Sequence, residues 1–82
     1  MFRERYRRQY GMTAREIVMI ALNYMKQDGY QKFTYNDVAK YVYSLGFRIK
    51  LETIKRLIRK FVEDGILEDA GFFNRQRYFK FK

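Results

Sequence analysis

The spacing of the glycines is the feature that most constrains how this chain can fold. Five glycines and no proline divide the 82 residues into short segments. Glycine commonly ends helices and forms tight turns, and apolar residues recur at regular intervals between these positions. The division predicts a basic arm, three helical segments and a hairpin. The dividing residues are Gly11, Gly29, Gly46, Gly65 and Gly71.

The first helical segment opens with a capping box. Thr13 and Glu16 have the spacing at which each side chain satisfies a free backbone N–H group of the first turn. Apolar residues then recur at helical spacing, and Asp28-Gly29 ends the segment. The predicted apolar stripe consists of Ile17, Ile20, Ala21, Tyr24 and Met25.

The second helical segment repeats this pattern. Thr34 is the predicted cap and Asp37 is its reciprocal partner. Lys32-Phe33, directly before the cap, is compatible with a very short strand. Gly46 ends the segment, and its apolar face consists of Val38, Tyr41, Val42 and Leu45.

The third helical segment is predicted from roughly 50 to 64, with Gly65 as its stop. Its apolar stripe consists of Ile54, Leu57, Ile58 and Phe61. If this stripe faces the core, the 100° advance per residue turns Glu52, Lys55, Arg56 and Arg59 outward, with Thr53 and Lys60 on a flank. The predicted outer face of this helix is therefore strongly basic.

A hairpin is predicted at the carboxyl end. Residues 66–70 form the first predicted strand, 71–76 the turn and 77–82 the second strand, in which apolar and basic residues alternate. Asn74 suits an unusual backbone angle in the turn. Phe72 and Phe73 are expected to pack back on the core; the alternative is an exposed contact for DNA or a partner.

The charge of the chain favours a polyanionic partner. There are 18 Lys and Arg against 9 Asp and Glu, a formal net charge of +9. An excess of this size costs self-repulsion in the folded state. Nucleic acid is the first candidate partner and an acidic membrane surface is the second. The alternative is a generically basic protein with no such partner.

The charge is also segregated along the chain. Residues 48–60 carry a net +5, residues 61–70 a net −4 and residues 71–82 a net +4. A uniformly basic protein has no reason to separate its charges in this way. A domain that presents one helix and one hairpin tip to phosphates does, which favours nucleic acid over a membrane.

Several classes of function are excluded or disfavoured. The chain has no Cys and no His, which removes disulfides, zinc fingers and Ser-His-Asp chemistry. The pairs Glu63-Asp64 and Glu68-Asp69 are sequence neighbours whose side chains point apart, so they make poor paired acids or metal ligands. We therefore expect no enzyme activity, no cofactor and no metal.

No membrane span or secretory signal is predicted either. No segment has the apolar length of a membrane span, and the basic amino terminus is not followed by an apolar run. We expect a cytoplasmic, nucleoid-associated protein, or one in the host cytoplasm if its origin is viral.

The chain resembles the winged helix-turn-helix family from about Met12 to Lys82, nearly its whole length. The resemblance rests on Val38-Ala39, then Thr53-Ile54-Lys55-Arg56, then Gly65-Ile66-Leu67, in this order and spacing. It implies an α+β, mostly α fold, with a three-helix core and a C-terminal β-hairpin wing. The expected division is an arm over 1–11 and a winged helix domain over 12–82. The linker 46–49 departs from the family pattern because it is longer and more apolar.

The resemblance implies a transcriptional regulator that binds specific double-stranded DNA, of prokaryotic, archaeal or viral origin. The third helix would lie in the major groove, with Arg56 on a base and Lys50, Lys55 and Arg59 on phosphates. The wing, 71–77, would touch the backbone or the minor groove. The predicted DNA-binding residues are Arg48, Lys50, Glu52, Thr53, Lys55, Arg56, Arg59, Lys60, Arg75 and Arg77.

Two alternatives to specific DNA binding stay open. One is a non-specific architectural protein for DNA or RNA, and the other is a winged-helix module for protein interaction. The arm also leaves alternatives: it is compatible with a short helix, and it docks on its own domain, pairs with another subunit or lies along phosphates. A homodimer would form through the arm or helix 1. The arm's candidate DNA contacts are Arg3, Arg5, Arg7 and Arg8.

Overall fold

Three helices are followed by a two-stranded antiparallel hairpin in the computed structural model, which describes residues 8–9 and 11–82. This is the predicted order of elements. Their bounds are β1 Arg8–Gln9, β2 Met12–Thr13, α1 Ala14–Gln27, α2 Tyr35–Ser44, α3 Leu51–Glu63, β3 Leu67–Phe73 and β4 Gln76–Phe81.

Both predicted capping boxes are present. The Thr13 hydroxyl accepts from the Glu16 N–H at 3.2 Å, and the Glu16 carboxylate accepts from the Thr13 N–H at 2.8 Å. The corresponding distances for Thr34 and Asp37 are 3.3 and 3.0 Å. Each box satisfies two backbone donors that the first helical turn leaves free. The starts of α1 and α2 are therefore fixed by local sequence.

The core is built from one face of each helix and the base of the hairpin. Val38 and Val42 of α2 and Ile54, Ile58 and Phe61 of α3 are fully buried, as the periodicity predicts. Leu57 and Leu45 lie at the edge of the core, where they pack against the buried residues. The remaining buried apolar residues are Ile17, Val18, Ala21, Leu22, Met25, Phe33, Ala39, Phe47, Ile49, Leu67 and Phe79.

The buried face of α1 is offset from the predicted stripe. Val18 and Leu22 are buried, whereas Ile20 is half-buried and Tyr24 is 47% exposed. Because α1 packs against both α2 and α3, its buried face is set by where these two helices lie. The assignment of Ile20 and Tyr24 to the core stripe was wrong, and both belong to an outer flank of α1.

The apolar linker between α2 and α3 is part of the core. Phe47 and Ile49 are buried there, and the Tyr43 hydroxyl donates a hydrogen bond to the Ile49 carbonyl at 2.9 Å. These contacts explain why the linker is longer and more apolar than the short polar turn expected of the family. They also set the direction in which the chain enters α3.

A hydrogen bond joins the end of α1 to α2. The Tyr41 hydroxyl donates to Asp28 at 2.6 Å, and the ring of Tyr30 meets the Tyr41 ring edge-on at 5.5 Å. The bond to the Asp28 carboxylate raises the pKa of the Tyr41 phenol above its usual range. The polar edge of Tyr41 thus fixes the α1–α2 connection, while its ring packs against the core.

The wing is attached to the helical core through Phe33. Its N–H donates to the Phe79 carbonyl at 2.9 Å, and the Phe79 N–H donates to the Phe33 carbonyl at 2.8 Å. The predicted short strand at Lys32-Phe33 is therefore confirmed as a single bridging residue. The ring of Phe33 also packs beside Phe81, with centroids 5.1 Å apart.

The turn of the wing is shorter than the predicted 71–76. β3 continues through Phe73, a register shift occurs between Asp69 and Gly71, and only Asn74 and Arg75 connect the strands. Both turn residues have positive φ, 49° at Asn74 and 65° at Arg75. A positive φ at both positions is typical of type I′ hairpin turns, in which Asn-Gly is preferred. Asn74 thus adopts the unusual angle that was predicted for it.

The described part of the arm is extended. Arg8–Gln9 pair antiparallel with Met12–Thr13, so the alternative of a helix is wrong for these two residues. Residues 1–7 and 10 of the arm, which include Arg3, Arg5 and Arg7, lie outside the described residues.

We expect Arg75→Gly to raise the free energy of unfolding by roughly 0.5–1 kcal/mol. The left-handed conformation costs an L-residue about 1–2 kcal/mol, part of which is offset by the greater freedom of glycine in the unfolded chain. Urea unfolding measures the change. Arg75→Ala, which removes the charge but keeps the Cβ atom, is the control. An equal gain from both variants would mean that charge, not backbone strain, is responsible.

Candidate nucleic-acid interface

The outward face of α3 carries the basic side chains that were predicted to lie there. Arg56 and Arg59 are exposed, as is Glu52, and Lys55 is half-buried. The opposite face is anchored in the core by fully buried apolar residues. We call Lys50, Lys55, Arg56 and Arg59 the basic ridge.

The positive charges of the basic ridge are not balanced by acidic side chains in the described part of the chain. Within the part of the chain that the structure describes, none of its four cations forms an ion pair. Lys55 has an aromatic neighbour, because its ammonium group lies 5.8 Å from the centre of the Tyr35 ring. Unpaired cations on one face raise the local positive potential, which attracts a polyanion.

Lys60 does not belong to this ridge. Its ammonium group lies 3.7 Å from Asp64 and 4.0 Å from Glu63. Asp64 in turn lies 3.9 Å from Arg15, whose guanidinium covers the Phe61 ring at 4.8 Å. Lys60 thus faces the acidic end of α3, and its charge is already balanced there. It is the weakest of the predicted DNA contacts on this helix.

The start of α3 differs from the starts of the other two helices. Lys50 occupies the cap position and makes no side-chain hydrogen bond to the first turn. The free N–H groups and the helix dipole of such an end favour an anion. Arg48 and Lys50 line an open cleft of about 520 Å³ beside this end, together with Tyr43 and Ile49. The start of α3 and the basic ridge therefore both have a positive potential.

A second cleft joins α3 to the wing. It has a volume of about 290 Å³ and places Lys55 of α3 on one wall with Arg75 and Arg77 of the wing on the other. Tyr35 and Asn36, at the start of α2, are also part of its lining. Two separately predicted groups of residues thus face one concave surface, which we call the wing cleft.

Arg77 is held in place by two neighbours. Its guanidinium donates to Asp69 at 2.8 Å and lies 5.5 Å from the centre of the Phe72 ring. Asp69 also accepts from the Gly71 N–H at 2.7 Å, which fixes the irregular segment of β3. Arg75 forms no ion pair within the described residues and projects from the turn. The wing therefore presents one oriented and one unpaired arginine.

Phe72 and Phe73 do not pack back on the core. Their exposed fractions are 62% and 66%. The prediction placed both residues in a turn over 71–76, whereas both belong to β3 and only Asn74 and Arg75 connect the strands. Because each residue lies on a projecting ribbon, neither ring reaches a buried neighbour. Both rings are therefore exposed, and a contact with DNA or a partner stays a prediction.

Sequence reasoning missed Asp69 and Tyr35 as parts of this surface. Asp69 was read only as one of a poor carboxylate pair, but strand register brings it to Arg77.

No group of three or more potential metal-ligating side chains occurs in the described residues. None of the helices found there is long and apolar enough to cross a membrane.

Two solved structures resemble this chain in fold. A ferric uptake regulator from Pseudomonas aeruginosa with manganese aligns over 79% of this chain at 18% identity, with a TM-score of 0.66. A ferric uptake regulator from Francisella tularensis with iron aligns over 90% at 16% identity, with a TM-score of 0.67. The alignments cover 48% and 56% of those chains, so this chain spans about half their length.

At these identities the likeness concerns the fold alone. No protein-family model matches the chain, and no curated protein matches it. The three helices followed by an antiparallel hairpin nevertheless have the arrangement of a winged helix, which confirms the predicted fold class.

Arg59 and Lys60 provide a matched test of the boundary of the basic ridge. We expect Arg59→Ala to weaken binding to duplex DNA and to reduce the log–log salt slope by about 1, the value for one lost phosphate contact. We expect Lys60→Ala to leave the slope unchanged because its charge is balanced by Glu63 and Asp64. Fluorescence anisotropy at several salt concentrations measures both. Equal effects of the two variants would contradict the boundary drawn here.

Proposed function

We propose that this chain is a transcription regulator that binds specific double-stranded DNA through α3 and the wing. The observation that carries the proposal is the wing cleft, which unites Lys55 of the basic ridge with Arg75 and Arg77. Cations from two distant parts of the sequence converge on one surface, although their mutual repulsion opposes this. A polyanion that spans both elements relieves the repulsion.

The dimensions of α3 suit the major groove. A helix fits this groove, which is about 12 Å wide, and reads base edges there with side chains of its outer face. Arg56 lies near the middle of the exposed face and has no ion-pair partner among the described residues. It is our candidate for a two-hydrogen-bond contact with guanine. Glu52, one turn earlier, is placed to orient Arg56 or to accept from cytosine.

The remaining cations are assigned to phosphates. Lys50 stands at the uncapped start of α3, Lys55 and Arg59 lie along its exposed side, and Arg75 and Arg77 lie on the wing. Arg48 and Thr53 flank this set. Phosphate contacts fix the position of a protein on DNA without reading sequence. Specificity in this proposal therefore depends on Arg56 and its neighbours.

The geometry gives less support to the alternatives. An interaction module would be expected to present an apolar surface, whereas the outward face of α3 is basic and polar. Pure architectural binding requires no side chain that contacts base edges, whereas this proposal assigns the exposed Arg56 to that role. We further propose a non-enzymatic protein that acts as a homodimer. The exposed ring of Tyr24 and the half-buried Ile20 make α1 a candidate contact.

The salt dependence of binding tests the proposal as a whole. Four cations without an ion-pair partner among the described residues, Lys50, Lys55, Arg59 and Arg75, predict a log–log slope of about −3.6, since each phosphate contact contributes about −0.9. Arg77 adds less because Asp69 already balances its charge. The probe is a duplex selected from a random pool, and its affinity is followed by anisotropy as the salt concentration rises. Competition by unselected duplex distinguishes specific from architectural binding. Binding that is insensitive to salt, or no selected duplex at all, would contradict the proposal.

Arg56→Ala tests the assignment of sequence reading. We expect the affinity for the selected duplex to fall by about 1–3 kcal/mol and the preference for that sequence to weaken, because a base contact is lost. Lys26→Ala removes the same charge from the last turn of α1 and serves as the control, with little expected effect. If Arg56→Ala reduces binding to selected and unselected duplexes equally, Arg56 is a phosphate contact instead.

A further inference from the structure

We propose that the wing tip enters the minor groove, widens it and bends the duplex, with Phe72 and Phe73 against the groove walls. This inference rests on the proposed DNA-binding function. It adds a deformation of the DNA that the charges of the wing alone would not produce.

The two rings lie on opposite faces of the ribbon. Phe72 is paired with Arg77 and Phe73 with Gln76, and successive residues of a strand point to opposite sides. Phe72 faces the wing cleft beneath the Arg77 guanidinium. Phe73 meets Tyr78 edge-on at 6.3 Å on the outer face. Each ring is thus held on the ribbon while more than half of it remains exposed.

A ribbon with large side chains on both faces is thicker than the minor groove is wide. Packed sheets lie about 10 Å apart, which approximates the thickness of one sheet with its side chains. The minor groove of B-DNA is about 6 Å wide. A wing that enters with both rings must therefore widen the groove. Phenylalanines that enter the minor groove as apolar wedges partly unstack the base steps and bend the duplex toward the major groove, where α3 is proposed to lie.

The surroundings of the rings favour DNA over a second copy of the chain. Residues 71–82 contain no Asp or Glu, and the tip carries Arg75 and Arg77 beside the rings. Asp69 already pairs with Arg77, but two tips that met through their phenylalanines would bring together two Arg75 side chains, neither of which forms an ion pair within the described residues. The minor groove offers the opposite arrangement, since its negative potential attracts arginine. Charge complementarity thus selects a nucleic acid as the occupant.

The backbone conformation of the turn also supports an interaction of the wing tip with DNA. Arg75 holds a φ of 65°, although glycine would adopt this angle without strain. A strained residue whose side chain forms no ion pair within the described residues suggests a role outside the folded chain. An arginine at the leading end of the wing fits entry into a groove lined by phosphates.

Bending is measured by energy transfer across a 30-base-pair duplex of mixed sequence, with a donor and an acceptor at its ends, at saturating protein. We expect the wild type to shorten the end-to-end distance. We expect the double variant Phe72→Ala/Phe73→Ala to shorten it much less and to bind about tenfold more weakly, with an unchanged salt slope. Tyr30→Ala removes an exposed ring from the segment between α1 and α2, which has no role in the proposed interface, and should behave as the wild type. Thermal unfolding of each variant verifies that the fold is intact.

The outcomes separate this inference from the proposed function. Equal bending by the wild type and the double variant overturns the inference while DNA binding stands. Wild-type binding without any bending has the same meaning. If the double variant changes the sedimentation of the free protein but not the bend, the tip is a subunit contact and the inference is wrong. If the wild type shows no salt-dependent binding to duplex DNA, the proposed function fails and this inference fails with it.

Discussion

The burial of one apolar stripe on α3 determines what the rest of this molecule presents to its surroundings. Ile54, Ile58 and Phe61 are fully buried. Each buried apolar side chain of this size stabilises the fold by about 1.5–3 kcal/mol. With this face held in the core, rotation of α3 is excluded and the basic ridge must face outward. The concentration of like charge is thus tolerated because the core, and not the surface, fixes the helix.

The attachment of the wing at Phe33 gives the second part of the interface its position. The paired hydrogen bonds between Phe33 and Phe79 tie β4 to the segment that precedes α2. The Phe79 ring packs 5.0 Å from Tyr35, which lines the wing cleft. The same residues that complete the core therefore orient Arg75 and Arg77 toward Lys55. These aromatic contacts therefore contribute both to stability and to the geometry of the proposed interface. The wing tip beyond them does not pack on the core.

Local sequence determined most of the fold because its signals are short-range. Two capping boxes and the stripes of α2 and α3 were predicted from spacing alone, and they are present. The buried face of α1 was offset because its apolar residues extend around two flanks, and only the neighbours decide which flank is covered. Phe72 and Phe73 were misplaced because turn length decides whether a ring reaches the core. The ion pair between Lys60 and Asp64 could have been predicted from their i, i+4 spacing. The ion pair between Arg77 and Asp69 could not, because it depends on the register of the two strands.

The central claim, that the basic ridge and the wing form one DNA-binding surface, is tested most directly by amide chemical shifts. A duplex selected from a random pool is titrated into the isotope-labelled protein. The account predicts that the largest shifts fall in two separate stretches, 50–59 and 72–77, and that they saturate together at one protein-to-DNA ratio. Shifts centred on α1 or on the acidic end of α3, or shifts in only one of the two stretches, would contradict it.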